Sequence, residues 1–222
     1  MKTKKQAAEI VALLEGGYPR AQCFLSSEDA WQLLIAVRLS AQCTDVRVNA
    51  TTPILFEKFP TILAFAQADV NDIEAIVKPC GLGKSKARDI KACMTMLLEE
   101  FGSVVPQDLD ELLRLPGVGR KSANLIVGDV YHKPAIVADT HCIRLSNRLG
   151  FIDSIDPHKV ELELKRVVAP EKQNDMCHRL VEHGRAVCTA RKTYCEKCVL
   201  SNLCEYNKKQ IKQALKAQAK PL

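Results

Sequence analysis

Apolar residues recur at helical spacing along most of the chain, and no segment sustains the two-residue alternation of a half-buried strand. Residues 6–15 (QAAEIVALLE) have this spacing and end at two glycines, and residues 28–39 (EDAWQLLIAVRL) form a strongly apolar segment typical of a core helix. Thr44 is one of several polar residues placed to cap the helix that follows. The pattern predicts an all-α fold.

The sequence LPGVGRKSA at residues 115–123 lies between two segments of helical pattern, 108–114 and 120–130. Gly117 and Gly119 permit positive φ and lack the Cβ atoms that would keep another backbone at a distance. The amides at the start of the second helix favour an anion, since they are unpaired and the helix dipole adds positive potential. We therefore predict a helix-hairpin-helix motif over about 108–130 that can bind phosphate.

Other glycine-rich loops fit this segment less well. A dinucleotide-binding loop has three glycines and follows a strand, whereas this segment has two glycines and follows a helical pattern. A P-loop needs Gly-Lys-Ser/Thr, which this segment lacks. A helix-to-helix turn without a ligand remains open at this point. A similar sequence, PCGLGKSKA, occurs at residues 79–87. It indicates a second hairpin, although a chance match is equally consistent with so short a motif.

The 222 residues include 32 Lys plus Arg and 26 Asp plus Glu, and the resulting net charge of +6 mildly favours a polyanionic partner. The N-terminal apolar run is too short for a secretory signal, and no run approaches the roughly 18 apolar residues of a membrane span. We expect a soluble cytoplasmic protein without a membrane partner.

Ten cysteines in such a protein are expected to be thiols or metal ligands rather than disulfides, because the cytosol is reducing. Six lie scattered in apolar or helical context and are expected to be small buried residues: Cys23, Cys43, Cys80, Cys93, Cys142 and Cys177.

The other four cysteines, Cys188, Cys195, Cys198 and Cys204, fall within one short stretch. Four thiolates can surround a tetrahedral metal or a four-iron cluster. Only one Cys-x2-Cys pair is present, whereas structural zinc usually has two, so the spacing favours a cluster. Zinc, or no metal, remains an alternative. The loop would also display Arg191 and Lys192 at the surface, where they could contact phosphate.

Lys121 lies in the first turn of the helix after the hairpin, where the dipole and partial burial both favour a neutral, nucleophilic amine. Such an amine can form an imine if a carboxylate assists the proton transfer. Asp139 is the best candidate, because it follows an apolar run and begins a helix. The alternatives are an ordinary helix cap for Asp139 and a solvated lysine for Lys121.

These motifs, in this order, resemble the endonuclease III family of DNA glycosylases over roughly residues 5–206. LPGVGRKSAN resembles the family hairpin with its catalytic lysine at Lys121, and VADTH resembles the segment with the catalytic aspartate at Asp139. The four clustered cysteines match the 4Fe-4S ligands. LSAQCTD resembles the segment whose glutamine, here Gln42, fills the space left by an extruded base.

The resemblance implies a bifunctional base-excision repair enzyme that flips an oxidised pyrimidine out of duplex DNA, removes it and nicks the strand. It also implies a 4Fe-4S cofactor, and a nucleoid-associated monomer that acts on double-stranded DNA with damaged bases or abasic sites. Lys121 and Asp139 would be catalytic. The residues expected to contact DNA are Gln42, Leu82, Leu115, Gly117, Val118, Gly119, Arg120, His141, Arg191 and Lys192.

Three positions depart from the family pattern: Gly83, where an aromatic residue is frequent, Ala138 and Cys142. The departure at Gly83 bears on lesion preference and on which residue fills the space left by the extruded base. None of the three departures removes a catalytic group. The similar adenine glycosylase branch is a rival interpretation, but it lacks the nucleophilic lysine. A DNA-binding module without catalysis is another, and it would need neither Lys121 nor Asp139.

We expect two helical domains interleaved in sequence. One is a bundle over residues 22–132 that carries the hairpin, and the other combines residues 1–21 with 133–222 and carries the cluster loop. By resemblance, DNA binds in a cleft between them, which would bring Lys121 and Asp139 together from opposite walls.

Overall fold

The computed structural model describes residues 1–218, and within them the regular structure is helical, which confirms the all-α prediction. A single isolated antiparallel bridge joins Cys188 and Thr193 in this part of the chain. The α-helices, in chain order, are α1 (Lys4–Gly17), α2 (Ala30–Ser40), α3 (Asp45–Lys58), α4 (Ile62–Gln67), α5 (Val70–Val77), α6 (Gly83–Glu100), α7 (Leu109–Arg114), α8 (Arg120–Asp129), α9 (Thr140–Leu149), α10 (Pro157–Val167), α11 (Gln173–Ala186) and α12 (Glu205–Gln218).

Four short 3₁₀ helices complete the described structure. They are Lys78–Cys80, Pro170–Lys172, Cys195–Lys197 and Ser201–Leu203. The chain divides into two compact units. The continuous unit is Cys23–His132 and contains α2 to α8, whereas the split unit combines Met1–Gln22 with the chain from Lys133 onward.

In the continuous unit, α6 packs against α4 and α5, and α2 packs against α3, α6 and α8. The middle of α2 is buried on all sides, from Leu33 to Val37, as its apolar sequence predicts. Trp31 makes edge-on contacts with Phe56 and Phe65, with ring centroids 5.4 and 5.8 Å apart. These ring contacts anchor the start of α2 against α3 and α4.

In the split unit, α11 packs against α1 and α9, and α12 packs against α9. The buried face of α1 comprises Ala7, Ile10, Val11 and Leu14, the spacing of one helical stripe. The first and last described segments are joined by Lys2, whose ammonium donates to the carbonyl of Leu203 at 2.6 Å.

Side-chain caps start several of the helices where the sequence places them. Thr44 accepts a hydrogen bond from the amide of Arg47, and Asp69, Asp108 and Asp156 cap α5, α7 and α10 in the same way. Among residues 1–218, no helix combines the length and the apolar character needed to cross a membrane.

Candidate active site

The predicted hairpin is formed by α7, a tight turn and α8. The turn closes through a hydrogen bond from the Val118 amide to the carbonyl of Leu115, at 3.1 Å, and Leu115 itself is buried. The Val118 amide is therefore already used within the protein. Gly119 precedes α8 in an extended conformation, and no side chain caps the helix. The amides from Gly119 onward are consequently the ones placed to bind an anion.

Gly117 is required by both its conformation and its surroundings. Its φ is +76°, in the left-handed region, and a Cβ atom added to it would lie 2.9 Å from Cβ of Asp89 and 3.0 Å from Cδ of Arg38. Arg38 donates from Nη2 to Oδ2 of Asp89 at 2.5 Å, so an ion pair between α2 and α6 packs against the turn. The sequence patterns gave no indication of this support, because the three residues are far apart in the chain.

The turn at residues 79–87 shares one feature with the hairpin. Gly81 has a φ of +75°, close to that of Gly117. The next residue, Leu82, is also left-handed, and α6 begins immediately after it at Gly83. The two turns are therefore similar only at their first glycine.

Lys121 is the second residue of α8, and it is exposed. The partial burial expected from the sequence is therefore wrong, because Lys121 lies on the exposed side of the first turn of α8 and the buried part of the helix begins at Ala123. Arg120, the first residue of α8, is half-buried and has interactions within the protein. Lys121 thus lies at the start of α8, two residues after Gly119.

Asp139 lies in the split unit, at the start of α9. Its Oδ1 accepts a hydrogen bond from the amide of Cys142 at 2.7 Å, so the side chain caps the helix. The buried residues 135–137 precede it and anchor the approach to the helix. The carboxylate is half-buried, and this combination of capping and burial fixes its orientation.

His141 follows in the first turn of α9. Its Nδ1 accepts a hydrogen bond from Nη2 of Arg144 at 3.1 Å. A Cβ atom added to Gly184 of α11 would lie 2.5 Å from the same Nδ1, so this glycine allows the ring to pack closely. His141 is therefore held by two neighbours in the split unit.

Gln42 and Leu82 lie in two turns of the continuous unit. Both are exposed, and both adopt left-handed backbone conformations, with φ of 56° and 52°. Such conformations are uncommon for residues other than glycine, asparagine and aspartate. Sequence alone identified the residues but gave no sign of this shared conformation.

The four clustered cysteines line one small pocket in the split unit, together with Tyr194 and Tyr206 among others. None of these four cysteines forms a disulfide bond within residues 1–218. Burial raises the pKa of the Cys198 thiol to about 11, and the charges of the other three cysteines act in the same direction. Within residues 1–218, no three His, Cys, Asp or Glu side chains are grouped as ligands of a single metal ion.

Two side chains from neighbouring helices contact the cysteine sulfurs. Arg148 of α9 donates from Nη1 to Sγ of Cys188 at 3.1 Å and to the carbonyl of Thr189 at 2.7 Å. Nε2 of His183 lies 3.4 Å from Sγ of Cys198. These contacts hold the loop at its first cysteine and at its third, and sequence spacing did not predict them.

Arg191 and Lys192 are exposed on this loop, as expected, and the ammonium of Lys192 lies 4.8 Å from the ring centre of Tyr194.

Of the six scattered cysteines, Cys80, Cys93, Cys142 and Cys177 are buried. Cys23 and Cys43 are only partly buried, so the expectation was wrong for them. Both lie in loops rather than on helices that face the core.

The sequence model of the "HhH-GPD superfamily base excision DNA repair protein" family matches residues 35–170, and the chain belongs to that superfamily. Endonuclease III of Synechocystis sp. is 43% identical over 207 residues, which are 92% of this chain and 94% of that protein. Endonuclease III of Escherichia coli K12 is 39% identical over 206 residues, with 93% and 98% covered. Within the superfamily, the chain therefore belongs to the endonuclease III family.

A solved structure described as a trapped endonuclease III–DNA covalent intermediate has a TM-score of 0.89 with this chain, at 39% identity, and covers 95% of this chain and 100% of its own. A non-covalent endonuclease III–DNA complex has the same TM-score and identity. A thermostable thymine-DNA glycosylase, at 23% identity and a TM-score of 0.83, shares the fold. The chain is a base excision repair enzyme with DNA glycosylase and AP lyase activity.

Proposed function

We propose that the chain excises oxidised pyrimidines from duplex DNA and cuts the strand at the resulting abasic site, with Lys121 as the nucleophile and Asp139 as the assisting carboxylate. The observation that carries this proposal is the position of Lys121, an exposed amine in the first turn of α8 beside amides that can bind a phosphate. A strand held by those amides presents its sugars within reach of the lysine. Imine formation at a sugar carbon needs such an amine.

The hairpin binds the DNA backbone in this proposal. The amide of Gly119 faces a phosphate, and the missing Cβ of Gly119, a position with open space around it, lets the strand approach the turn closely. Leu115 and Val118 hold the shape of the turn through their mutual hydrogen bond. Because these contacts involve phosphate rather than bases, they position the enzyme without selecting a sequence.

Gln42 and Leu82 act on the duplex itself. A damaged base must leave the stack before its glycosidic bond can be attacked, and extrusion costs a few kcal/mol. The two exposed side chains fill the gap and so stabilise the extruded state. His141, Arg191 and Lys192 add contacts to the strand from the split unit.

The chemistry then proceeds in two stages. Nζ of Lys121 bonds to C1′ as the glycosidic bond breaks, and the base leaves with a proton. Asp139 stabilises the positive charge that develops on the sugar and assists proton transfer. The sugar ring opens to give an imine, a proton is lost from C2′, and the C3′–O bond breaks to release the 3′ phosphate. Hydrolysis of the imine frees the lysine.

Cys188, Cys195, Cys198 and Cys204 hold a 4Fe-4S cluster in this proposal. The four cysteines line one pocket, and their spacing in the sequence, with a single Cys-x2-Cys pair, suits a cluster better than a structural zinc ion. The cluster would organise the loop that displays Arg191 and Lys192.

The nucleophile is tested by borohydride trapping on duplex DNA that contains an oxidised pyrimidine. The chain should become covalently linked to the strand, and Lys121→Ala should abolish the adduct while retaining DNA binding. Lys159→Ala, at an exposed lysine of α10, is the matched control and should trap as the original chain does. Unchanged trapping by Lys121→Ala would contradict the assignment of Lys121, and absence of any adduct with the original chain would contradict imine formation on this lesion.

The cofactor is tested by metal analysis of the purified protein. A cluster gives a brown protein with about four irons per chain. A colourless, folded protein with one zinc would contradict it.

The proposal extends to assembly and location. We expect a monomer that works on chromosomal DNA in the cytoplasm, in association with the nucleoid. Light scattering of the free protein tests the first expectation, and imaging of a fluorescent fusion tests the second. The cleft between the two units, with Lys121 and Asp139 on opposite walls, stays a prediction.

A further inference from the structure

Lys86 of α6 is a fully buried lysine in the continuous unit, with no solvent exposure. Its ammonium donates three hydrogen bonds to backbone carbonyls, those of Leu39 at 2.8 Å, Ala41 at 2.8 Å and Cys80 at 2.9 Å. An ammonium has three donors, so each one has an acceptor. A buried charge is costly unless it is satisfied in this way. The ammonium of Lys86 and the three carbonyls therefore hold one another in position.

The three carbonyls belong to two separate turns. Ala41 immediately precedes Gln42, and Cys80 lies two residues before Leu82. Lys86 therefore joins the turn that carries Gln42 to the turn that carries Leu82. The carbonyl of Leu39 lies in the last turn of α2, where a positive charge also complements the helix dipole.

The two turns need such support. Left-handed backbone costs about 1–2 kcal/mol at a residue with a Cβ, and it persists where the surroundings hold it. The thiol of Cys43, in the first turn, also interacts with the thiol of Cys80, in the second. Burial and this neighbour raise the pKa of Cys43. Lys86 is the charged group among these contacts and bonds to both turns.

We propose that Lys86 is a positioning residue that holds the Gln42 and Leu82 turns at a fixed separation, so that both side chains enter the duplex together when a base is extruded. This rests on the proposed function, in which Gln42 and Leu82 fill the gap. Lys86 itself does not contact DNA. Its loss should therefore affect base extrusion and leave the chemistry of Lys121 intact.

The test is a double-mutant cycle, measured as single-turnover excision of an oxidised pyrimidine from duplex DNA. Lys86→Met alone should slow excision at least about tenfold. In a chain that already carries Gln42→Ala and Leu82→Ala it should slow excision by less than about twofold, because the effects of substitutions at coupled residues are not additive. A 2-aminopurine opposite the lesion, in a Lys121→Ala background, should lose its fluorescence increase with Lys86→Met. Equal losses in both backgrounds, or no loss, would overturn the proposal.

Lys91→Met is the matched control. Lys91 lies on the same helix, and its ammonium donates to the carbonyl of Ala68 at 2.7 Å, away from both turns. The Lys91→Met substitution should lower the melting temperature without changing the 2-aminopurine fluorescence. If Lys86→Met does not fold, Lys86→Arg keeps the charge but cannot direct three donors to the same acceptors, and the same cycle applies. Failure of the unmodified chain to trap DNA would instead refute the proposed function.

Discussion

Asp139 Oδ1 accepts a hydrogen bond from the backbone amide of Cys142 at 2.7 Å, so the proposed catalytic carboxylate is also the cap of α9. The two alternatives that the sequence left open, a helix cap and a catalytic group, are therefore compatible. The cap holds the side chain in one orientation, which a charge-stabilising group needs.

Substitutions at Asp139 can separate the two roles. Asn keeps the capping oxygen but not the charge, so Asp139→Asn should melt close to the original protein and lose base excision. Asp139→Ala should lose activity and, in addition, about 1 kcal/mol of stability through the missing cap. Thermal melting and single-turnover excision measure the two effects. Full excision by Asp139→Asn would remove Asp139 from the chemistry.

The two hairpin glycines should respond differently to alanine. Gly117→Ala forces a Cβ to within 3.0 Å of Asp89 and Arg38 in a left-handed conformation, and it should cost at least about 1–2 kcal/mol of stability. Gly119 is extended, and a Cβ there meets no atom within 4 Å. Gly119→Ala should therefore cost less stability than Gly117→Ala, since only the weaker N-cap opposes it, and should weaken DNA binding. Unchanged affinity would show that phosphate does not approach Gly119.

Arg148 should control how well the cysteine loop retains the proposed cluster. It bonds to Cys188 and to the carbonyl of Thr189, and its guanidinium lies 5.1 Å from the ring centre of Tyr206. Arg148→Met should release iron several-fold faster on exposure to a chelator. The release is measured as the loss of visible absorbance. Arg166→Met, at an exposed arginine of α10, is the control. Equal iron loss in both variants would contradict the assigned role.

The Lys2–Glu205 ion pair should make stability depend on acid pH. Hydrogen bonds from Lys2 and Lys208 lower the pKa of Glu205 below its ordinary value of 4.5. A carboxylate with a lowered folded-state pKa contributes stability above pH 4.5, and this is lost as pH falls through the folded-state pKa. Because Glu205 is partly exposed, the contribution should be below about 1 kcal/mol.

Melting curves from pH 7 to pH 3 test this expectation. Glu205→Gln should lower the melting temperature at pH 7 and converge with the original protein at pH 3. Glu9→Gln, at an exposed glutamate of α1, should run parallel to the original protein throughout. A constant difference between Glu205→Gln and the original protein would exclude a contribution from the charge.

The helices, several of their caps and the hairpin were predictable from the amino-acid sequence. Thr44 caps α3 as the sequence predicted, and Gly117 has the positive φ that glycine permits in the turn. These features depend on a few neighbouring residues, so the residue types were sufficient. The four-cysteine loop was also visible as a motif, because its members lie close together in the chain.

Tertiary structure alone decided what surrounds those motifs. It exposed Lys121 where partial burial was expected, and it placed the Arg38–Asp89 pair against Gly117. It also buried Lys86 between two turns whose carbonyls lie up to 47 positions away in sequence. Burial and hydrogen bonding across such distances depend on how the helices pack, and residue spacing along the chain carries no record of that packing.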